Sequence, residues 1–166
     1  MKTDTPRPIR LDDYRPSPYL IDTVDLDIVL HPTHTRVRSR LAVRLNPAHR
    51  GKPGPLRLDG ENLKLESIRI DGQVLDEGGY RQTSHHLTIP KTPAASFTLE
   101  TVVTVDPEAN TALQGLYRTR GVFCTQCEAE GFRRITFFLD RPDILSVYTT
   151  RIEAETGVAP ILLGNG

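Results

Sequence analysis

From Val24 to Leu45 apolar residues recur at nearly every second position, and this alternation constrains the fold of the 166-residue chain more than any other feature. In Val24-Asp25-Leu26-Asp27-Ile28-Val29-Leu30 the even positions are apolar, and Asp25 and Asp27 fall between them. The next stretch places Val37, Leu41, Val43 and Leu45 on one side and Arg36, Arg38, Arg40 and Arg44 on the other. Successive side chains of an extended chain point to opposite faces, so each segment predicts a strand with one buried face. His31-Pro32-Thr33-His34-Thr35 separates them, and Pro32 removes a ladder donor, which predicts a hairpin loop. Antiparallel pairing sets the acidic outer face against the basic one, at a few tenths to about 1 kcal/mol per cross-strand pair. The arginine row then reads as a solvated, neutralised face rather than a binding patch.

The rest of the chain continues in short extended segments. Asn46 to Pro55 is a loop rich in Pro and Gly, followed by Leu56-Arg57-Leu58 and a turn at Asp59-Gly60-Glu61-Asn62. Leu63 and Leu65 are apolar at odd positions, Ile68 and Ile70 at even ones; a phase change of one residue predicts a bulge. Asp71-Gly72 is a strong hairpin signal. Leu87-Thr88-Ile89 and Phe97 to Val105 read as strands, the latter rich in β-branched residues and stopped by Asp106-Pro107. Residues 108–120 show no period, Glu128 to Thr136 suits a short helix, Leu145 to Ile152 another strand, and Ile161-Leu162-Leu163 the start of one more. About eight to ten short strands with little helix predict a mainly β domain, built as curved, saddle-like sheets or a β-sandwich.

Acidic and basic residues balance at 21 each, so the basic surplus of a nucleic-acid binder is missing. No apolar run approaches the roughly 18 residues that span a bilayer. Met1 to Pro8 holds no apolar stretch of signal-peptide type, which predicts a cytoplasmic protein. Cys124-Thr125-Gln126-Cys127 is a lone C-x-x-C: half of a zinc site, a redox pair, or two reduced, part-buried thiols. A zinc site needs further ligands, yet none of His31, His34, His49, His85 and His86 has the i, i+4 spacing of helical ligands. Taken by themselves, Glu128 and Glu130 are the charges of a solvated turn.

The stretch Cys124-Thr-Gln-Cys-Glu-Ala-Glu-Gly-Phe132-Arg-Arg-Ile-Thr-Phe-Phe-Leu-Asp-Arg-Pro-Asp143 resembles the signature near the end of the N-terminal domain of bacterial aminopeptidase N, a family of gluzincin-type zinc aminopeptidases. The resemblance runs collinearly through Asp13-Tyr14-Arg15-Pro16, Pro55 to Leu65, Asn110 to Tyr117 and Thr149 to Ile152. It implies an N-terminal extension over residues 1–12 and a family β domain over 13–166 that ends within its last strands, leaving an edge unpaired. It further implies a parent enzyme that releases N-terminal residues from peptides. In that parent the β domain packs against a catalytic domain and lends it part of the substrate pocket. Glu128 matches the position that accepts the substrate's free α-amino group, Gln126 the one that helps shape the first-residue pocket, and a cis peptide is expected between Glu128 and Ala129. The zinc signature H-E-x-x-H and the G-A-M-E-N motif are absent from these residues. The resemblance therefore places zinc, general base and oxyanion-stabilising tyrosine outside this segment, with no catalytic and no metal-binding residue within it. The segment alone is expected to be inactive. The alternative is a stand-alone, non-catalytic β-sandwich module that binds peptide termini or a partner protein.

Overall fold

The computed structural model describes residues 10–165, in which eleven strands and two short 3-10 turns alternate with loops. The two alternating segments form β1 (Tyr19–Leu30) and β2 (Thr35–Leu45). They pair antiparallel around the expected turn, with Asp25 opposite Arg40 and Asp27 opposite Arg38. Val24, Leu26 and Ile28 point inward with Val37, Leu41 and Val43, all buried, as the alternation requires. At its N-terminal end β1 changes phase: Tyr19 and Ile21 are buried, and a bulge lies between Ile21 and Thr23.

The outer charges differ from expectation in their partners. Arg38 turns to Glu100 (2.9 Å) and Asp27 to its register partner Arg151 (2.8 Å), each on the strand flanking this hairpin rather than on the hairpin partner. Arg36 pairs with Glu66 (2.9 Å) and Arg44 with Asp22 (2.8 Å). Long side chains on a twisted sheet reach diagonal neighbours as readily as direct ones. These pairs are largely solvated, so they neutralise the face more than they stabilise it.

Two further strands extend this sheet: β3 (Leu56–Asp59) belongs elsewhere, but β4 (Lys64–Ile70) lies beside β8 (Phe97–Val105), which itself pairs with β2. The predicted phase change is a bulge between Leu65 and Ser67. Asp71 (φ 49°) and Gly72 (φ 79°) form the tight turn into β5 (Gln73–Val74). The opposite edge is β11 (Val147–Ala154), parallel to β1, giving the order β11-β1-β2-β8-β4-β5. A three-stranded sheet, β3-β7-β6, joins β7 (His86–Ile89) and β6 (Arg81–Gln82) to β3. Its Leu56, Leu58, Leu87 and Ile89 are fully buried in the same apolar core as the inner face of the large sheet. The domain is thus mainly β, with open sheets sharing one core. No helix among the described residues is long and apolar enough to cross a membrane.

Three expectations need correction. Residues 108–120, where no period is visible in the sequence, contain a strand: β9 (Gly115–Thr119) and β10 (Val122–Gln126) form a hairpin whose turn is Arg120 (φ 49°) and Gly121 (φ 84°). Glu128 to Thr136 forms only the 3-10 turn Phe132–Arg134, because tertiary partners claim its backbone, as described below. Ile161-Leu162-Leu163 form no strand; preceded by Pro160, they run along an apolar cleft of about 450 Å³ beside Phe123 and Ile152.

Candidate substrate-binding site

The segment that follows β10 is fixed from behind. Asp59 exchanges two backbone hydrogen bonds with Phe138: its N–H donates to the Phe138 carbonyl (2.7 Å), and the Phe138 N–H donates to its own carbonyl (3.1 Å). The Asp140 N–H donates to the Asp59 side chain at Oδ2 (3.2 Å). Phe137, fully buried, packs its ring on Gly60, where any Cβ would lie 2.3 Å from ring carbons. Residues 137–140 are therefore tied to the turn that leaves β3.

Asp140 in turn organises the residues before it. Its Oδ2 accepts both the backbone N–H of Arg133 (3.1 Å) and Arg133 Nε (2.9 Å), while Arg133 Nη2 donates to the Asp140 carbonyl (3.0 Å). The Glu61 N–H donates to the Arg133 carbonyl (2.9 Å), and the Glu61 carboxylate pairs with Arg134 (2.7 Å). The side chains of Arg133 and Asp140 are mostly buried, where a charged pair with several hydrogen bonds holds one geometry. Burial disfavours the Arg133 cation, but the hydrogen bond to Asp140 and the carboxylates around it more than compensate and raise its pKa. These contacts replace the helical ladder expected here.

The turn itself closes on the hairpin. Gly131 N–H donates to the Cys127 carbonyl (2.8 Å). A Cβ at Gly131 would lie 2.3 Å from the Gln126 carbonyl oxygen and 2.9 Å from Cys127 Cα; one at Gly115 would lie 2.5 Å from Arg134 Cβ and 3.0 Å from the Gly131 carbonyl oxygen. Two backbones thus meet at a distance only glycine permits. Gly131→Ala is expected to cost about 1–3 kcal/mol through overpacking, read as a lower urea midpoint. An unchanged midpoint would mean that the turn does not rest on the hairpin.

Gln126 is the last residue of β10, opposite Gly115, and Glu128 stands two residues on; both are exposed. The Glu128–Ala129 peptide is cis, as the resemblance implied. Glu130, also exposed, pairs with Arg133 (3.5 Å), whereas among the described residues Glu128 joins no ion pair. What results is an uncommitted carboxylate and a nearby amide on a turn held in place from behind. Chemically this suits a cationic ligand with adjacent polar groups.

The remaining candidates stay apart. Cys124 and Cys127 are free and half-buried; Cys124 lies within β10, not at a helix start. Burial, with Asp140 nearby, pushes the Cys127 thiol up, away from the thiolate that redox or metal chemistry requires. His31 and His34 stack at 3.2 Å between ring centroids, while His85 and His86 approach Glu61 (3.9 Å) and Asp59 (3.6 Å). Among the described residues no three His, Cys, Asp or Glu side chains gather as metal ligands, so this part of the chain does not fit a zinc centre. Asp59, Asp140, Arg133 and the glycine pair escaped sequence reasoning; Gly115 and Gly131 in a polar stretch were the only hint.

Comparison with known proteins supplies the context. Residues 19–166 match the family model described as the Peptidase M1 N-terminal domain. The chain is 55% identical over 166 residues to aminopeptidase N of Caulobacter vibrioides, covering 100% of this chain but 19% of that protein. Its fold superposes on aminopeptidase A of Legionella pneumophila, solved in complex with aspartic acid, at a TM-score of 0.87 and 37% identity, over 95% of this chain and 18% of that one. The M1 zinc metallopeptidase of Deinococcus radiodurans shares the fold at a TM-score of 0.67, with 18% identity over 82% of this chain and 32% of that one. The chain thus spans about a fifth of the length of the curated relative, and its β-sandwich-like sheets, from β1 to β11, belong to the peptidase M1 family as its N-terminal domain.

Proposed function

We propose that this chain is the N-terminal portion of a cytoplasmic zinc aminopeptidase, in which residues 13–166 form the β domain and 1–12 an extension. Glu128 accepts the free α-amino group of a peptide substrate, and Gln126 shapes the adjacent pocket. The observation that carries this reading is the exposed Glu128 carboxylate, without an ion-pair partner among the described residues, on a turn anchored by Arg133, Asp140 and the Gly115–Gly131 contact.

The chemistry follows from charge. A peptide's α-amino group has a pKa of about 7.7–8.0 and is largely cationic near neutrality. A carboxylate at the closed end of a cleft is satisfied only by a chain with a free terminus, which makes the activity exopeptidic. Zinc would be held by the rest of the protein, where it would supply Lewis-acid chemistry toward the scissile carbonyl and water. The described residues provide no ligand set for it, and no bond-breaking step is assigned to them. This chain's part is to hold and orient the amine, and by itself it is inactive.

The test compares a free and an N-acetylated substrate of the whole protein. Leucine p-nitroanilide is expected to be hydrolysed, and N-acetyl-leucine p-nitroanilide to react at least about 30-fold more slowly, since acetylation removes the charge that Glu128 binds, a loss on the scale of a broken charged pair (roughly 2–5 kcal/mol). Equal rates on the two would overturn the amine-anchor reading.

A further inference from the structure

Four non-glycine residues among those described have positive φ: Asn62, Asp71, Leu113 and Arg120. Asn and Asp tolerate this region because their short polar side chains bond locally, and Arg120 occupies a two-residue hairpin turn. Leu113, at φ 55°, has neither excuse. Its Cβ makes the left-handed conformation costly, and burial offers no return, since the side chain is 54% exposed.

The loop that imposes this conformation is well built. Asn110 Nδ2 donates to the carbonyls of Gln114 (2.7 Å) and Leu116 (2.9 Å), and Asn110 Oδ1 accepts the Ala112 N–H (3.2 Å). The loop leads into β9 at Gly115, the residue paired with Gln126 and packed against Gly131. In an antiparallel hairpin the start of one strand and the end of the other lie at the same end. Leu113 therefore sits at the hairpin end that also carries Gln126 and Glu128. An apolar side chain is left exposed on this domain, at a conformational cost, at the hairpin end that carries an uncommitted carboxylate. Strain of this kind clusters where a ligand is recognised.

We infer that Leu113 is a specificity-determining residue that contacts the side chain of the substrate's first residue while Glu128 holds the amine; this rests on the amine-anchor reading above. The ligand class is a peptide with an unblocked, apolar first residue. The alternative, that Leu113 touches another part of the longer protein, predicts equal losses on all substrates.

The experiment measures kcat/KM of the whole protein on leucine and alanine p-nitroanilides for wild type, Leu113→Gly and Leu113→Asn, with Glu128→Gln alongside. Glycine and asparagine both accept positive φ, so both variants keep the loop, and the urea midpoint of Leu113→Gly should equal or exceed that of wild type. The leucine-to-alanine ratio is expected to fall about tenfold in both variants, mainly through KM. A ratio within twofold of wild type, including a uniform loss on both substrates, overturns the inference while leaving the amine-anchor reading intact if Glu128→Gln is impaired. Normal kinetics in Glu128→Gln would instead remove that reading and this inference with it.

Discussion

Glu128→Gln is expected to lower kcat/KM of the whole protein on unblocked peptides by about 30- to 5,000-fold, with zinc content unchanged. The substitution keeps the shape of the side chain and removes its charge. Loss of one partner from a desolvated, hydrogen-bonded charge pair costs about 2–5 kcal/mol, and each 1.36 kcal/mol is a factor of ten. Because Glu128 is exposed on its turn and supports no internal ion pair, the domain itself should unfold at the same urea concentration as wild type. Metal analysis, steady-state kinetics and denaturation together separate the effect from misfolding. Wild-type kinetics in Glu128→Gln would end the role assigned to this residue.

The second large effect is structural. Phe137→Ala is expected to destabilise the domain by about 3–5 kcal/mol, the usual loss for truncating a fully buried aromatic ring. Against a typical folding stability of about 5–15 kcal/mol this is a large share. For a chain of this size it corresponds to a fall in Tm of roughly 6–20 °C, measurable by calorimetry. The ring is also the filler against Gly60, so its removal loosens the contact between residues 137–140 and the turn after β3. Amide exchange should therefore quicken first at Asp59, Phe138 and Asp140. A loss below about 1 kcal/mol would mean that the site segment is not anchored through this core.

Much of this architecture was legible from residues alone, and the reasons are specific. In β1 and β2 the period of two has a strong amphipathic contrast, Asp or Arg against Val, Ile or Leu, so strand, face and loop all followed. The bulge between Leu65 and Ser67 was visible as a change of parity, and the turn at Asp71-Gly72 as a dipeptide suited to positive φ. The hairpin β9–β10 was not legible. Its burial is weakly alternating, and its turn uses Arg120-Gly121 in place of Asn-Gly or Asp-Gly. Nor does periodicity reveal which strand β11 adjoins, since pairing is a tertiary choice. At the site, Gln126 and Glu128 stood out only through a family resemblance; as side chains they are ordinary exposed polar groups. The anchors Asp59 and Asp140 lie 81 residues apart, beyond the reach of any local pattern.

The parallel pairing of β11 with β1 also sets a timetable. Asp27 and its partner Arg151 are separated by 124 residues, so the first long strand cannot gain its outer neighbour until that much more chain has been made. At about 5–20 residues per second, a ribosome leaves that edge of β1 uncovered for roughly 6–25 s. The turn carrying Glu128 emerges inside this interval, before β11 arrives. The edge of β1 is thus an open strand edge during synthesis, and the turn carrying Glu128 is laid down before the large sheet is sealed.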